Sequence, residues 1–525
     1  MTSLQAASPG PARGAAPNRA GILLATILAS SMAFIDLSAV NVALPSLQAD
    51  LNATGPELIW IVNAYSLMLA ALILIGGSLG DHIGRRRVFS AGIVLFGAAS
   101  LTCGLAPTSS WLIAARAFQG VGGALLIPGS LSIITASIPK GSRGSAIGTW
   151  SAFTTVTTIG GPIIGGFLAG SGLWRGVFVI NIPLAIAALY CVWRWVPESL
   201  DEEAKPLDVV GTGLVTLALA GLSFGAVQAS HAALSEPQVL GSLLVGFIGL
   251  VIFILYESRS DHPLVPLALF RSRTFSGTNA LTLLLYGAIS MAFFMLPIVM
   301  IQAHGYEPRQ AGLAMLPFSL FLASLSRWSG GLADRYGARA PLTIGPIVAG
   351  IGFFLLSLPG QDSGPSQFWT TYLPAMATVG IGMGITVAPL TTAVMGAVDP
   401  RQAGTASGIN NAVSRTAGLL TVAVLGSLAI VLFKSDLQTS TRGLNLASDQ
   451  RSALIQSADR LGDTQPPAGM DDTTRAAVKQ AIDHSLVITF RVVGMICAVL
   501  GVLGGLVALV SVEGGLHSKG SARGP

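Results

Sequence analysis

Charged side chains are scarce in this 525-residue sequence: Asp, Glu, Lys and Arg make up 10% of it, while hydrophobic residues make up 52%. An ordinary soluble domain carries about 25% charged residues. The scarcity of charge therefore excludes a soluble globular protein. The formal net charge of +5 does not indicate nucleic acid as a partner, since Lys and Arg occur in short clusters between apolar stretches and form no single basic face.

Cysteine and histidine are also rare, with three and six residues respectively. Cys103, Cys191 and Cys497 lie inside apolar segments, far from any metal-ligand spacing, so we predict neither a disulfide framework nor a zinc site. The sequence contains no Ser/His/Asp arrangement, no clustered His and Glu metal motif and no glycine-rich phosphate loop. We therefore predict that the protein is not an enzyme and uses no cofactor.

Long apolar stretches, in contrast, are abundant. A helix needs about 20 apolar residues to cross a hydrocarbon core of about 30 Å. Fourteen stretches are long enough, and we predict that each one spans a membrane. The predicted spans are residues 20–45, 57–80, 88–106, 110–138, 146–170, 173–196, 207–228, 237–257, 276–302, 308–332, 341–359, 368–396, 403–433 and 485–511.

Positive residues are distributed unevenly between the loops that join these spans. Cytoplasmic loops of membrane proteins retain Lys and Arg. If the N-terminus is inside, the short outer loops hold only Arg175 and Arg309. We therefore predict a multi-pass protein of the inner membrane with both termini in the cytoplasm. The positive residues of the inner loops are Arg85, Arg86, Arg87, Lys140, Arg143, Arg194, Lys205, Arg259, Arg271, Arg273, Arg335, Arg339 and Arg401.

A short pattern occurs twice, about 250 residues apart. The first copy, where the second span ends, reads GGSLGDHIGRRR over residues 76–87, and the second, where the tenth ends, reads GGLADRYGAR over residues 330–339. Each copy has an Asp, a Gly three positions later and then Arg. One copy alone is explained by a glycine-capped helix end with inside-positive charge. Two copies indicate two related halves, as in transporters built from parallel repeats.

Further motifs follow one another along the chain. They are FIDLSAVNVALP at 34–45, GDHIGRRR at 80–87, RAFQGVGG at 116–123, GPIIGG at 161–166 and WRGVFVINIP at 174–183. In this order they resemble the motifs of the major facilitator superfamily and, more closely, of its fourteen-helix drug:proton antiporter branch. The resemblance covers nearly the whole chain.

This resemblance implies an all-α polytopic membrane protein with the major facilitator fold. Two six-helix bundles are expected, at residues 20–200 and 274–511, with two inserted transmembrane helices within 201–260. Cytoplasmic tails are expected at residues 1–19 and 512–525. The polar stretch 434–484 is predicted to be a long external loop of the C-terminal bundle.

The resemblance also implies proton-coupled export, or drug:proton antiport, of small amphipathic compounds such as antibiotics, biocides or toxic metabolites. The implied partners are a small-molecule substrate, protons and the lipid bilayer and, in a Gram-negative cell, a periplasmic adaptor and an outer-membrane channel. The nearest alternative is a symporter that imports a small solute, which the Gly-Pro helix and the two extra spans disfavour. A membrane-embedded enzyme and a transporter-like receptor are further alternatives, and the receptor would bind its ligand without flux.

Asp36 and Arg116 are ionisable residues deep inside predicted spans, where a charge costs about 2.5–3.5 kcal/mol. At 1.5 Å per residue, Asp36 lies about 24 Å and Arg116 about 21 Å from the inner boundary. We predict that they meet across the central cavity as a protonation switch, because burial favours the neutral acid and a nearby guanidinium favours the carboxylate. The family's equivalent positions carry coupling. The alternative is that both side chains merely reach the outer interface.

The repeated pattern is predicted to latch the two bundles together in one state, through hydrogen bonds from Asp and Arg to neighbouring helix ends. The alternative, inside-positive charge, explains the arginines but not the Asp. The predicted latch residues are Gly77, Gly80, Asp81, Gly84, Arg85, Arg86, Asp334, Gly337 and Arg339.

Gly161, Pro162, Gly165 and Gly166 form the antiporter helix motif. They are predicted to provide a hinge and a tight helix seam, and the alternative is ordinary small-residue packing.

Polar and aromatic residues on spans that line the cavity in this family are predicted to form a loosely specific substrate site. They are Asn41, Trp60, Tyr65, Gln119, Tyr286, Phe293 and Phe294. Arg415 is a further intramembrane charge, for which we expect a structural hydrogen bond to a helix end.

Overall fold

The computed structural model describes residues 18–199, 208–229, 236–261, 263–361, 363–444, 446–458 and 464–513. These residues form helices, turns and loops, and they contain no β-strand. Most of the predicted tails 1–19 and 512–525, and part of the linker within 201–260, lie outside the described residues.

The N-terminal half consists of helices that run up and down in sequence order. They are α1 (Arg19–Leu51), α2 (Gly55–Ile83), α3 (Arg85–Gly104), α4 (Ser109–Ser137), α5 (Arg143–Gly170), the short α6 (Gly176–Val179) and α7 (Asn181–Trp195). Side-chain caps fix where some of them begin. The Thr108 hydroxyl, for example, accepts a hydrogen bond from the Trp111 amide at the start of α4, which satisfies an amide that has no partner within the helix.

Among the described residues, two helices connect the halves and eight form the C-terminal half. The connecting pair is α8 (Val209–Ala229) and α9 (Pro237–Glu257). The C-terminal half contains α10 (Arg273–Gln302), α11 (Pro308–Leu313), α12 (Leu316–Tyr336), α13 (Arg339–Leu356), α14 (Tyr372–Gly396), α15 (Ala403–Ser440), α16 (Ser448–Ser457) and α17 (Asp472–Ser511).

Thirteen helices of the described chain are long and apolar enough to cross a membrane. The fourteenth predicted span, 207–228, corresponds to α8, whose apolar stretch Val209–Gly225 is shorter. The predicted span 173–196 is broken into α6 and α7, and 308–332 into α11 and α12. The prediction of an all-α polytopic membrane protein is confirmed.

Successive crossings place the start of α1 and the end of α17 on the same side of the helical assembly. We call this the termini side and the other the opposite side. The Glu513 amide donates to the Thr274 hydroxyl where α10 begins, and Arg19 donates to Ser142 before α5. Both contacts therefore tie the described ends of the chain to the termini side.

The two halves form bundles that meet along two seams, α2 against α15 and α5 against α12. The inserted helices α8 and α9 pack against each other through Gly221 and Gly246, where an added Cβ would come within 3 Å of the facing helix. Helix α8 also packs against α2 and α15. The inserted pair therefore lies beside one of the two seams.

The stretch 434–484, predicted as a loop, is largely helical. Helix α15 continues to Ser440, α16 follows, and α17 begins at Asp472. At 1.5 Å per residue the 38 residues of α15 span about 57 Å, well beyond a hydrocarbon core of about 30 Å. Hydropathy located only the apolar part of these helices. Their polar ends are stabilised by contacts between helices, such as the hydrogen bond from Ser485 on α17 to Asp436 on α15 at 2.8 Å.

Candidate functional site

Asp36 on α1 and Arg116 on α4 form an ion pair, and the side chains of both are fully buried. Gln119, one turn after Arg116, completes the group: its amide donates to the Asp36 carboxylate at 2.8 Å and its carbonyl accepts from Arg116 at 2.7 Å. The Arg116 Nε donates to the backbone carbonyl of Ile61 on α2 at 3.0 Å. A buried carboxylate is thus held by an arginine and an amide.

Aromatic rings enclose the Arg116 guanidinium. Its central carbon lies 4.5 Å from the ring centre of Tyr65 and 5.8 Å from that of Phe178, so cation–π attraction adds to the ion pair. The Gln119 amide also donates to the Ser100 hydroxyl on α3 at 2.8 Å. We call Asp36, Arg116, Gln119, Ser100 and Tyr65 the buried polar network.

The network connects side chains of α1, α2, α3 and α4, so a change at Asp36 would affect most of the N-terminal bundle. The sequence predicts that Asp36 and Arg116 lie at a similar depth in the membrane. In the structure the two side chains are in contact. It places them inside the N-terminal bundle, however, and not across a cavity between the bundles, since neither side chain is exposed. Two residues predicted to line the substrate site, Tyr65 and Gln119, are buried in the same network.

The remaining predicted cavity residues are dispersed. The Asn41 side chain is exposed and donates to the Leu37 carbonyl of its own helix at 2.9 Å. The Trp60 ring packs against Phe224 of the inserted helix α8, with ring centres 5.7 Å apart. Trp60 therefore faces the inserted pair.

On α10, Tyr286 is partly buried, Phe293 packs edge-on against Phe318 at 4.8 Å, and Phe294 is 40% exposed. Phe318 is one of the residues around a cavity of about 150 Å³ between the bundles. The residues that line this cavity are Phe34, Thr154, Thr155, Thr158, Phe318, Ser319 and Leu322. Phe293 thus contacts one of the residues that line this cavity.

The first copy of the repeated pattern bridges the bundles on the termini side. The Asp81 carboxylate accepts hydrogen bonds from the amides of Gly404, at 3.1 Å, and Thr405, at 2.8 Å, which begin α15. The Arg85 guanidinium forms an ion pair with Asp81 at 2.8 Å and donates a hydrogen bond to the Pro400 carbonyl at 2.6 Å. A carboxylate at a helix N-terminus is stabilised by free amides and by the helix dipole.

The second copy repeats this contact with the halves exchanged. The Asp334 carboxylate, near the end of α12, accepts from the amides of Gly144 at 2.8 Å and Ser145 at 2.9 Å, where α5 begins. With the bonds of Asp81 and Arg85, these contacts comprise seven hydrogen bonds between the bundles at the termini side, all among described residues. This conformation is therefore closed on that side.

Two predicted latch arginines bind within their own bundles. Arg86 donates to the Trp193 carbonyl near the end of α7 at 3.2 Å, and Arg339 donates to the Leu509 carbonyl near the end of α17 at 2.9 Å. They occupy equivalent places in the two halves. They support the latch helices and do not cross the seam.

Glycines allow the helices to approach at both latches. A Cβ on Gly77 would lie 2.2 Å from the Gly404 carbonyl oxygen, and one on Gly144 would lie 2.2 Å from that of Gly330. Gly84 and Gly337 adopt positive φ angles of 116° and 87°, which side chains rarely tolerate. Gly80 has more room, because an added Cβ would approach nothing closer than 3.9 Å.

The antiporter helix motif lies on the face of α5 that packs against α1. A Cβ on Gly161 would collide with the Ser38 hydroxyl, and one on Gly165 would lie 2.6 Å from the Ala39 carbonyl. A Cβ on Gly166 would lie at an ordinary contact distance of 3.6 Å from the Val42 side chain. Pro162 lies within the continuous helix α5. The motif forms a tight seam inside the N-terminal bundle, and its role as a hinge stays a prediction.

Comparison with known proteins places the chain in a family. A sequence model of the Major Facilitator Superfamily matches residues 26–422. Multidrug resistance protein Stp of Mycobacterium tuberculosis is 32% identical over 417 residues, which are 79% of this chain and 77% of that protein. The tetracenomycin C resistance and export protein of Streptomyces glaucescens is 30% identical over 487 residues, 91% of this chain and 89% of that protein.

A solved structure shares the fold. The human organic anion transporter MFSD10 (TETRAN) superposes with a TM-score of 0.58 at 14% identity, over 92% of this chain and all of that one. At this identity the likeness extends to the fold alone.

Proposed function

Because this chain belongs to the major facilitator superfamily, we propose that it exports small amphipathic compounds, such as antibiotics, biocides or toxic metabolites, in exchange for protons. The relatives named for drug resistance and export support this direction of transport. The observation that carries the proton-coupled part is the buried contact of Asp36 with Arg116 and Gln119. A buried, hydrogen-bonded carboxylate in a membrane protein is a site where a proton can be taken up and released.

Proton binding at Asp36 would change the network because the carboxylate would lose its charge. Arg116 would then be a buried cation without its counter-ion, and breaking a buried pair costs about 3–5 kcal/mol. One of its nitrogens, Nη2, already has no hydrogen-bond partner among the described residues. The helices would rearrange until Arg116 found water or another acceptor, which would link the protonation of Asp36 to the positions of α1, α2 and α4.

The latches provide the second state-dependent element. Asp81 and Asp334 stabilise the conformation that is closed on the termini side. Opening that side requires that both carboxylates leave the helix N-termini of the other bundle. Alternating access would then consist of breaking and forming these contacts in step with the charge of Asp36.

The positive residues of the termini-side loops favour a cytoplasmic location for that side in the inner membrane. Protons would then reach Asp36 from the opposite side and leave to the cytoplasm. Each elementary charge that crosses 100 mV releases about 2.3 kcal/mol. In a Gram-negative cell, a periplasmic adaptor and an outer-membrane channel would carry the exported compound further.

Inside-out membrane vesicles test the proposal. Respiration acidifies their lumen, and addition of a substrate should release protons, read as recovery of a quenched pH-sensitive dye. We expect recovery with the wild type and with Asp50→Asn, an exposed carboxylate on α1 that pairs with Arg175, and no recovery with Asp36→Asn. Recovery that survives in Asp36→Asn would contradict the proposed proton site, and substrate movement in the same direction as protons would indicate the importing symporter.

A further inference from the structure

Arg415 lies in the middle of the membrane on the seam between the bundles. It is about 18 Å along α15 from Ala403, which is near the centre of a core of about 30 Å. Gly404 and Gly408 approach Gly77 and Leu74 of α2. At 100° per residue, Arg415 lies on the same face of α15 as these two glycines. Along α15, Arg415 lies beyond these closely packed glycines, towards the opposite side.

The lipid-facing side of α15 lies elsewhere. Exposed apolar side chains mark it at Leu420, Val424, Leu428 and Val431. They are rotated by roughly 140° to 220° from Arg415 around the helix. Arg415 therefore does not face lipid, and it is partly exposed between the bundles.

No hydrogen bond or ion pair of Arg415 occurs within the part of the chain that the structure describes. The expected bond to a helix end is not formed there. Arg116, in contrast, donates to Asp36, Gln119 and Ile61. Ionisable side chains in the membrane interior are costly and rare, and they typically mark substrate or ion pathways.

The charges around the seam favour a negative ligand. Asp36 and Arg116 cancel each other, so the buried polar network contributes no net charge. Tyr65, which packs on Arg116, also lies within electrostatic range of Arg415. Among the described side chains, no nearby group neutralises the positive charge of Arg415. This charge lies close to the buried polar network, which contains the proposed proton site Asp36.

We propose that Arg415 binds the acidic group of the exported compound, so that the cargo of this protein is an amphipathic organic anion such as a carboxylate or an ionised phenol. This inference rests on the proposed export function and names its substrate class. A guanidinium can bind a carboxylate through two parallel hydrogen bonds, which is the pairing that Arg415 lacks. An inside-negative membrane potential would also favour the outward movement of an anion.

A matched pair of dyes tests the charge preference. Fluorescein is an anion and rhodamine 123 a cation with the same type of ring system. Binding of each to the full chain in lipid nanodiscs is measured by fluorescence anisotropy, for the wild type, Arg415→Gln, Arg415→Lys and Arg442→Gln. Arg442 is exposed on the opposite side and serves as the control.

We expect the wild type and Arg442→Gln to bind fluorescein more tightly than rhodamine 123. Arg415→Gln should lose about tenfold in fluorescein affinity without weaker binding of rhodamine 123, and Arg415→Lys should retain part of the affinity. A wild type that prefers rhodamine 123, a wild type that binds neither dye, or an unchanged ratio in Arg415→Gln would overturn the inference.

Proton-coupled flux of the two dyes in reconstituted vesicles separates this inference from the function on which it rests. Export of fluorescein that depends on Asp36 and is unchanged in Arg415→Gln would overturn the anion site and leave the exporter intact. Fluorescein binding that depends on Arg415, together with the absence of any proton-coupled flux, would support the anion site and contradict the exporter.

Discussion

At the scale of single residues, the carboxylates of Asp36 and Asp50 on α1 differ in their surroundings. Asp36 has no exposure and is bound by Arg116 and Gln119. Asp50, near the end of the same helix, is exposed and binds Arg175 and Trp174. Its hydrogen bond from Arg175 lowers the pKa of Asp50. Water can compensate a broken pair at Asp50 but not at Asp36, so proton binding has structural consequences only at the buried site.

His304 gives a prediction at this scale. It follows α10 on the opposite side, is 5% exposed, and its Nδ1 lies 2.6 Å from the Tyr372 hydroxyl. Its Nε2 has no hydrogen-bond partner among the described residues. Burial lowers the pKa of His304 below the ordinary value of about 6.5. The folded protein therefore keeps the imidazole neutral, whereas the unfolded chain protonates it at a higher pH.

The stability that His304 contributes should be complete above about pH 6.5 and should be lost as the pH falls toward the lowered pKa. We expect the melting temperature to decrease between pH 7 and pH 5. Because His304→Gln has no titrating ring, it should show a weaker decrease in the same thermal scans. An equal decrease in both proteins would show that another group is responsible.

The sequence predicted the central pair but not its surroundings. Helical rise is regular, so residue counting placed Asp36 and Arg116 at one depth. Counting does not tell which face of α4 points into its own bundle. Gln119 is one turn from Arg116 and shares its face, but residue type alone predicts it for the substrate site. Tyr65 is predicted for the same site by its aromatic character, and in the structure its ring packs against Arg116.

At the scale of helices, the latches show what a local pattern can and cannot reveal. The pattern of Asp, Gly and Arg is visible twice in the sequence. Its binding partners are backbone amides of Gly404, Thr405, Gly144 and Ser145. Amides carry no residue-type signature, and the partner lies in the other half of the chain. The N-terminal positions of α5 and α15 therefore became recognisable only in the fold.

The close approach at Gly144 leads to a prediction with a control on the same segment. A methyl group at Gly144 would lie 2.2 Å from the Gly330 carbonyl oxygen, whereas one at Gly141 would meet nothing within 4 Å. Gly144→Ala should therefore hinder closure of the termini side, and Gly141→Ala should not.

Spin labels on cysteines at Arg87 and Gly396, exposed positions on different bundles, would report the distance across the termini side. We expect a longer distance for Gly144→Ala in lipid nanodiscs, with lower transport, and the wild-type distance for Gly141→Ala. A short distance in Gly144→Ala would show that the seam tolerates the methyl group, and the glycine approach would then be dispensable for the latch.

At the scale of the whole molecule, hydropathy predicted the thirteen helices of the described chain that are long and apolar enough to cross a membrane, and their order, because each crossing needs a long apolar stretch. It failed where helices leave the membrane. Residues 434–440 and 472–484 belong to α15 and α17, but their polar composition resembles a loop. Tertiary contacts maintain these ends, including the hydrogen bond from Lys479 to the Gln302 carbonyl at 3.0 Å. Such contacts have no local signature in the sequence.

The two proposed functions, proton binding and cargo binding, are located in different parts of the molecule. The buried polar network lies within one bundle, while the latches and Arg415 lie on the seams between bundles. In the proposed mechanism a proton would therefore act on the N-terminal bundle itself, and the cargo would act on the relative position of both bundles. Coupling requires that the two events change the same conformational equilibrium.

The most direct test of this coupling uses purified protein in liposomes with an imposed pH gradient and a transported dye. The wild type should accumulate the dye against its concentration gradient when the pH gradient is present and exchange it without net accumulation when the gradient is absent. Asp36→Asn should retain exchange and lose accumulation, while Asp50→Asn should behave as the wild type. Accumulation by Asp36→Asn that equals the wild type would contradict the central claim that the Asp36–Arg116 pair couples proton movement to export.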